Sequence, residues 1–244
     1  MRLLKSHFPH LGFTLFESTM EDTHGDDLEL CIIQDDGQLI TYALQAKIIY
    51  HQSTRTRIKI SNGKYPQMRH YVGAIRRENQ VQLLLDYARP LGYVPMYLLY
   101  NYVFRPKIKR GIPNDLFGCT VVTAQYLKDN HGLADGNLSP KVQFTDLHPS
   151  PAFPWHELIC KLRSLDQADL LSELDLVGYP LVLRDPNDAL DNREWVEVDV
   201  SSDTPDGVTQ KAFESLIKAE QRGANGRGFR PRFRLLFRPG GDLR

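Results

Sequence analysis

Cysteine is scarce in this chain of 244 residues: Cys31, Cys119 and Cys160 are the only three. They are far apart, odd in number and without CxxC spacing, which argues against a disulfide framework and a structural zinc site. Set among apolar neighbours, they read as small buried residues. Long hydrophobic runs are missing too. No segment approaches the length that spans a bilayer, and Met1–Gly12 has basic residues but no apolar stretch of secretory type. The expectation is a cytoplasmic protein with no membrane association. The eight histidines show neither HxxxH nor HxH spacing, so a zinc enzyme is disfavoured. No GxSxG, GxxxxGK[ST] or GxGxxG occurs, which removes the usual signs of a serine hydrolase and of nucleotide-driven chemistry.

Net charge is also absent, at +0, but the charges are segregated. Every charged residue from Glu17 to Asp36 is acidic, and every one from Arg55 to Arg77 is basic. A second basic cluster is Arg105-Pro106-Lys107-Ile108-Lys109-Arg110, and a third lies among the arginines from Arg222 to Arg238. An acidic focus flanked by basic segments suits an enzyme that gathers cations at a phosphate-binding surface. The ordinary alternative is that such runs simply solvate a face, or pair with the acidic stretch from Asp166 to Asp206.

With 41% hydrophobic residues the chain can bury a substantial core. Phe13–Phe16 is a short β-prone run. Leu28–Ile33 reads as a strand, Asp35-Asp36-Gly37 as hairpin-turn chemistry, and Leu39–Tyr50 as the partner strand. Residues His51 to Gln67 read as a long loop or irregular excursion. Val81, Leu84, Leu85, Ala88 and Leu91 then recur at helical spacing, with Gly92 placed for a C-terminal cap. The run Tyr93–Tyr100 reads as a buried strand with Pro95 at its start or at an edge. Further on, Cys119–Lys128 reads as a strand running into a helix, Pro154–Leu165 as a helix, and Asp185–Asp191 as a polar link. Trp195–Val200 reads as a strand, Val208–Gln221 as an amphipathic helix and Phe233–Phe237 as a last strand. The pattern predicts an α/β fold with a mixed sheet. Its core covers residues 1–164, followed by a C-terminal α+β extension over 165–244.

The hairpin carries the chemistry. Strand side chains alternate faces, so Asp27 and Glu29 share one face of the first strand, as do Gln45 and Lys47 on the second. A turn at Asp35–Gln38 brings the start of one strand near the end of the other. Two carboxylates, an amide and an ammonium then converge. Mg²⁺ takes hard oxygen ligands and keeps several waters, so few protein oxygens suffice. The metal activates water, and a nearby Lys can stabilise transition-state oxygens.

Asp27, an intervening strand and turn, and Gln45-Ala46-Lys47 resemble the PD-(D/E)xK nuclease superfamily in its QxK, Mrr-like variant. Pieces of the chain also resemble a group of uncharacterised bacterial proteins of that type. These are Glu21-x-x-x-Gly25-x-Asp27-x-Glu29, Gln45-Ala46-Lys47, Gln80, Pro95–Asn101 and Pro154–Cys160. The resemblance implies a restriction-endonuclease-like mixed sheet flanked by helices. It also implies Mg²⁺ or Mn²⁺ bound by Asp27, Gln45 and the Ala46 carbonyl, with Glu17 or Glu21 in place of a helix-borne Glu, and Lys47 in catalysis with Glu29 and Gln80 beside it. The function implied is a metal-dependent endonuclease, acting on DNA sooner than RNA, in bacterial defence or repair. Arg55, Arg57, Lys59, Arg76 and Arg77 are the expected nucleic-acid contacts, since they follow Lys47 directly in the chain. The rival reading is an inactive nuclease fold that binds nucleic acid or a partner protein. Homodimerisation and a partner subunit both stay open.

Overall fold

A computed structural model describes residues 12–18, 27–48, 51–54, 57–60, 65, 68, 71–72, 78–101, 112–132, 142–187, 195–198 and 231–238. The first hairpin forms as its sequence requires. β2 (Asp27–Ile33) and β3 (Leu39–Ile48) pair antiparallel, with Leu28 opposite Leu44 and Ile33 opposite Leu39. Between them the Gln34 amide donates to the Gln38 carbonyl at 2.8 Å. Gly37 sits at φ +86°, where a side chain would strain the turn.

Helix α1 (Gln80–Leu91) follows. Val81, Leu84, Leu85 and Ala88, spaced at one to two turns, are its buried residues. Burying each of the larger ones contributes about 1.5–3 kcal/mol. Asn79 caps the start, its Oδ1 accepting from the Val81 amide at 3.0 Å. Gly92 ends the helix at φ +65°, its amide donating back to Ala88 and Arg89. The chain then enters β8 (Val94–Tyr100), parallel to β3, with Gln45 beside Tyr97 and Lys47 beside Leu99. Pro95 is the second residue of that strand, the start position its missing amide requires.

The remaining strands are β1 (Gly12–Ser18), β9 (Cys119–Thr123), β10 (Phe153–Pro154), β11 (Trp195–Val198) and β12 (Pro231–Arg238). They complete an eight-stranded mixed sheet in the order β10-β9-β8-β3-β2-β12-β1-β11. Two short hairpins stand outside it: β4 (His51–Thr54) with β5 (Arg57–Ile60), and β6 (Tyr71–Val72) with β7 (Glu78–Asn79). One sheet face, with Leu30, Ile40, Tyr42 and Met96, packs on Leu158, Leu162 and Leu170. The other, with Ala43, Tyr97 and Leu99, packs on α1, on Leu127 of α2 (Ala124–His131) and on Phe144 of α3 (Phe144–Leu147). Among the described residues no helix is long and apolar enough to cross a membrane.

Three expectations change. The excursion after β3 is partly β-structure, with His51–Thr54 paired antiparallel to Arg57–Ile60. The Pro154–Leu165 helix is broken. Phe153–Pro154 pairs with β9, α4 is the single turn Glu157–Cys160, and a 3₁₀ turn covers Leu162–Ser164. Described parts of residues 165–244 join the sheet and core of the preceding residues. β12 lies between β1 and β2, while Leu170, Leu171 and Leu174, in and just after α5 (Gln167–Glu173), enter the same core as Leu30. Of the cysteines only Cys31 is buried; Cys119 is half-buried and Cys160 exposed. The expected helix over Val208–Gln221 lies outside the described residues.

Candidate active site

β3 positions the site. Leu28 faces Leu44 and Glu29 faces Ala43 at the end of the ladder. Asp27, the residue before Leu28, begins β2 beside the stretch of β3 that carries Gln45, so continuing the ladder by one step would set the two across from each other. Directly opposed residues of an antiparallel pair share a face. Asp27, Gln45 and Lys47 therefore occupy positions on the α1-facing side of the sheet. The Asp27 side chain lies outside the described ones.

Gln45 and Lys47 are both buried, at 6% and 7% exposure. The Lys47 Nζ donates to Gln80 Oε1 at 2.6 Å. The first residue of α1 is thus brought onto the catalytic lysine expected from sequence. Gln45 Oε1 is buried and has no hydrogen-bond partner. A buried acceptor left open is costly in a native fold unless a water, an ion or a ligand completes it. Hard oxygen donors of this kind suit Mg²⁺. Ala46 lies between the two in β3, beside Leu98.

Glu29 stands apart from this group. It is fully buried, and both its oxygens are engaged: Oε2 accepts from Arg234 Nε at 2.7 Å and Nη2 at 2.6 Å, and Oε1 from the Tyr87 hydroxyl at 2.5 Å. Those bonds hold its carboxylate as a structural anion and leave it unsuited to metal ligation, against the expectation that it serves catalysis. Burial, then the Glu29 charge and hydrogen bond, keep the Tyr87 phenol well above its ordinary range, so it remains a neutral donor. Gln80 and Tyr87 are seven residues apart, two turns of one helix face, so α1 spans the hairpin with one contact on each strand.

Arg57 and Lys59 lie in β5, opposite Thr54 and Gln52, with side chains outside the described ones. Glu21, Arg55, Arg76 and Arg77 lie outside the described residues altogether. Among the described residues no group of three or more His, Cys, Asp or Glu is placed to hold a metal ion.

Sequence reading missed a second polar cluster on the α1 side of the sheet. The Tyr65 hydroxyl donates to Asn101 Oδ1 at 2.5 Å, and Asn101 Nδ2 donates to Thr120 Oγ1 at 2.7 Å. His148 Nε2 lies 3.0 Å from Thr120 Oγ1, and its Nδ1 lies 2.8 Å from the Phe144 carbonyl. The carbonyl can only accept, so Nδ1 carries the proton and Nε2 accepts from the threonine. Burial lowers the His148 pKa to about 4, against the opposing pull of the Phe144 carbonyl. Every member is satisfied, which marks a structural latch. The only sequence signal is a set of polar residues inside apolar stretches.

A family model matches residues 1–239 of the chain, and its description reads "Family of unknown function (DUF6615)". The chain belongs to that family. No curated protein and no solved structure matches the DUF6615 chain.

Proposed function

We propose that this DUF6615 protein is a Mg²⁺- or Mn²⁺-dependent nuclease that hydrolyses phosphodiester bonds, in DNA sooner than in RNA. The observation that carries the reading is the open, buried oxygen of Gln45, one residue past the Leu28–Leu44 pair and two residues before Lys47. It fits a hard cation, and the QxK resemblance gives the same residues. Asp27, Gln45 Oε1 and the Ala46 carbonyl would hold the metal, with Glu21 as a further candidate. When bound, the ion supplies an activated water and offsets charge developing on phosphorus. Lys47, held by Gln80, offers its ammonium to a non-bridging oxygen of the substrate, which counts most where water is excluded. Glu29 holds β2 against β12 and α1.

One observation favours a second reading. Gln45 is neutral where a carboxylate would bind metal more tightly, as expected of an inactive nuclease fold that binds nucleic acid or a partner. Cleavage of supercoiled, linear and single-stranded DNA, with Mg²⁺, Mn²⁺ or EDTA, separates the two. The first reading expects metal-dependent cleavage that Asp27→Ala and Lys47→Ala each abolish, with the fold and much of the DNA affinity retained. Cleavage that survives Lys47→Ala refutes its role, and a wild-type protein that binds but never cuts supports the second reading.

A further inference from the structure

The start of α1 holds a second unfinished polar group. Asn79 is 8% exposed, and its amide is used at one end only: Oδ1 caps the helix, while Nδ2 is buried with no hydrogen-bond partner. That orphan is a donor, the opposite of the Gln45 oxygen, so it calls for an acceptor. It sits on the first turn of a 12-residue helix with no acidic residue in that turn. The unsatisfied amides and positive dipole end of such a helix favour an anion. The next residue, Gln80, holds the Lys47 ammonium at 2.6 Å. A side-chain donor without a partner and a helix N-terminus thus adjoin Gln80, the residue whose side chain accepts from a buried cation.

We infer that the N-terminus of α1 is a phosphate-oxygen site. It takes a non-bridging oxygen of a nucleic-acid strand, with Asn79 Nδ2 donating and Lys47 supplying positive charge. The inference rests on the nuclease reading for the source of the phosphate but not for the site itself, which needs no divalent metal. Asn79 is a positioning residue in this scheme. It fixes the strand beside Lys47 and takes no part in bond breaking.

The capping chemistry supplies a clean test. Asp caps a helix as well as Asn, and Gly costs only a few tenths of a kcal/mol at that position. Asn79→Asp keeps the cap oxygen and replaces the donor by an anion, whereas Asn79→Gly removes the amide without adding charge. Binding is measured in EDTA with two probes. Inorganic phosphate is read as a rise in melting temperature over chloride at equal ionic strength, and a short single-stranded DNA is read by fluorescence anisotropy. Wild type should bind both. Asn79→Asp should lose about tenfold or more in affinity for each, because a like charge replaces a donor at an anion, and Asn79→Gly should lose several-fold. Asn79→Gly should melt near wild type without phosphate, whereas Asn79→Asp sets a charge on a buried atom and should melt lower, so its binding is read at a temperature where it is folded. Variants that bind both probes as wild type does, or a wild type that binds neither, overturn the site. Binding of inorganic phosphate alone overturns the assignment to a strand. The nuclease reading is judged separately, by metal-dependent cleavage. A wild type that cuts, with an Asn79→Gly variant that cuts and binds equally well, removes the anion site and leaves that reading standing.

Discussion

Replacing Arg234 by Met removes the guanidinium that holds Glu29 while keeping most of the side-chain volume. In the native protein the carboxylate is fully buried, with Nε and Nη2 of Arg234 at 2.7 and 2.6 Å on one oxygen and the Tyr87 hydroxyl on the other. Without Arg234 a single phenol faces a buried anion, and a broken buried pair typically costs about 3–5 kcal/mol. Tyr87→Phe removes one hydrogen bond to a charged acceptor, a loss of roughly 1.5–3 kcal/mol. The two changes act on one carboxylate, so their effects should not add. Glu29→Gln with Arg234→Met should cost less than Arg234→Met alone, because no uncompensated charge remains. Guanidinium unfolding of wild type, the singles and the double gives these values directly. A loss below about 1 kcal/mol for Arg234→Met, where breaking a buried pair demands several, would show that the pair does not form and that β12 does not lie beside β2.

Three other outcomes follow from the structure. His148 is neutral in the fold with its pKa lowered to about 4 from an ordinary 6.5, so the unfolded chain binds more protons between those values. The stability His148 contributes is intact above pH 6.5 and falls by about 3 kcal/mol as the pH drops to 4; His148→Gln should flatten that part of a pH series, and an unchanged slope would exclude the latch. A side chain at Gly92 meets the Val182 backbone nitrogen at 2.7 Å and a φ of +65°, so Gly92→Ala should destabilise by about 2 kcal/mol or more in thermal unfolding. Burial pushes the Cys31 thiol up to about 12, whereas Cys160 is exposed; native alkylation followed by mass spectrometry should label Cys160 first and leave Cys31 unmodified until the protein unfolds.

Local pattern made much of the hairpin and α1 legible. Alternation in Leu28–Ile33, the Asp35-Asp36-Gly37 turn and the 3–4 spacing from Val81 to Ala88 each carry their own physics. The turn put the start of β2 near the end of β3, but the register itself, Ile33 opposite Leu39, was not fixed by it, and a slip of one residue would turn Gln45 to the other face. What escaped depended on partners far away in the chain. Glu29 looks like a ligand when read beside Asp27, and only the arrival of Arg234, 205 residues on, shows it to be half of an ion pair. A clue was present: one anion in an apolar strand, and one cation in Phe233-Arg234-Leu235-Leu236-Phe237. Nothing local says that they meet. The place of β12 between β1 and β2 escaped for the same reason, since strand order in a sheet is not a property of any short window.

The placement of β12 also sets the order in which the molecule can be made. The β2–β3 hairpin closes over a short turn, but among the described residues the other edge of β2 is covered by Pro231–Arg238. During synthesis β2 therefore waits with an open row of amides and carbonyls while some two hundred residues are added. An exposed edge of this kind invites pairing with other chains. The penalty for closing so long a loop grows only slowly with its length, yet the search for the pairing is slow. Glu29 has its own part in that interval. A carboxylate on an uncovered strand edge discourages stray pairing until Arg234 arrives, so the residue that locks the finished sheet also guards the unfinished one.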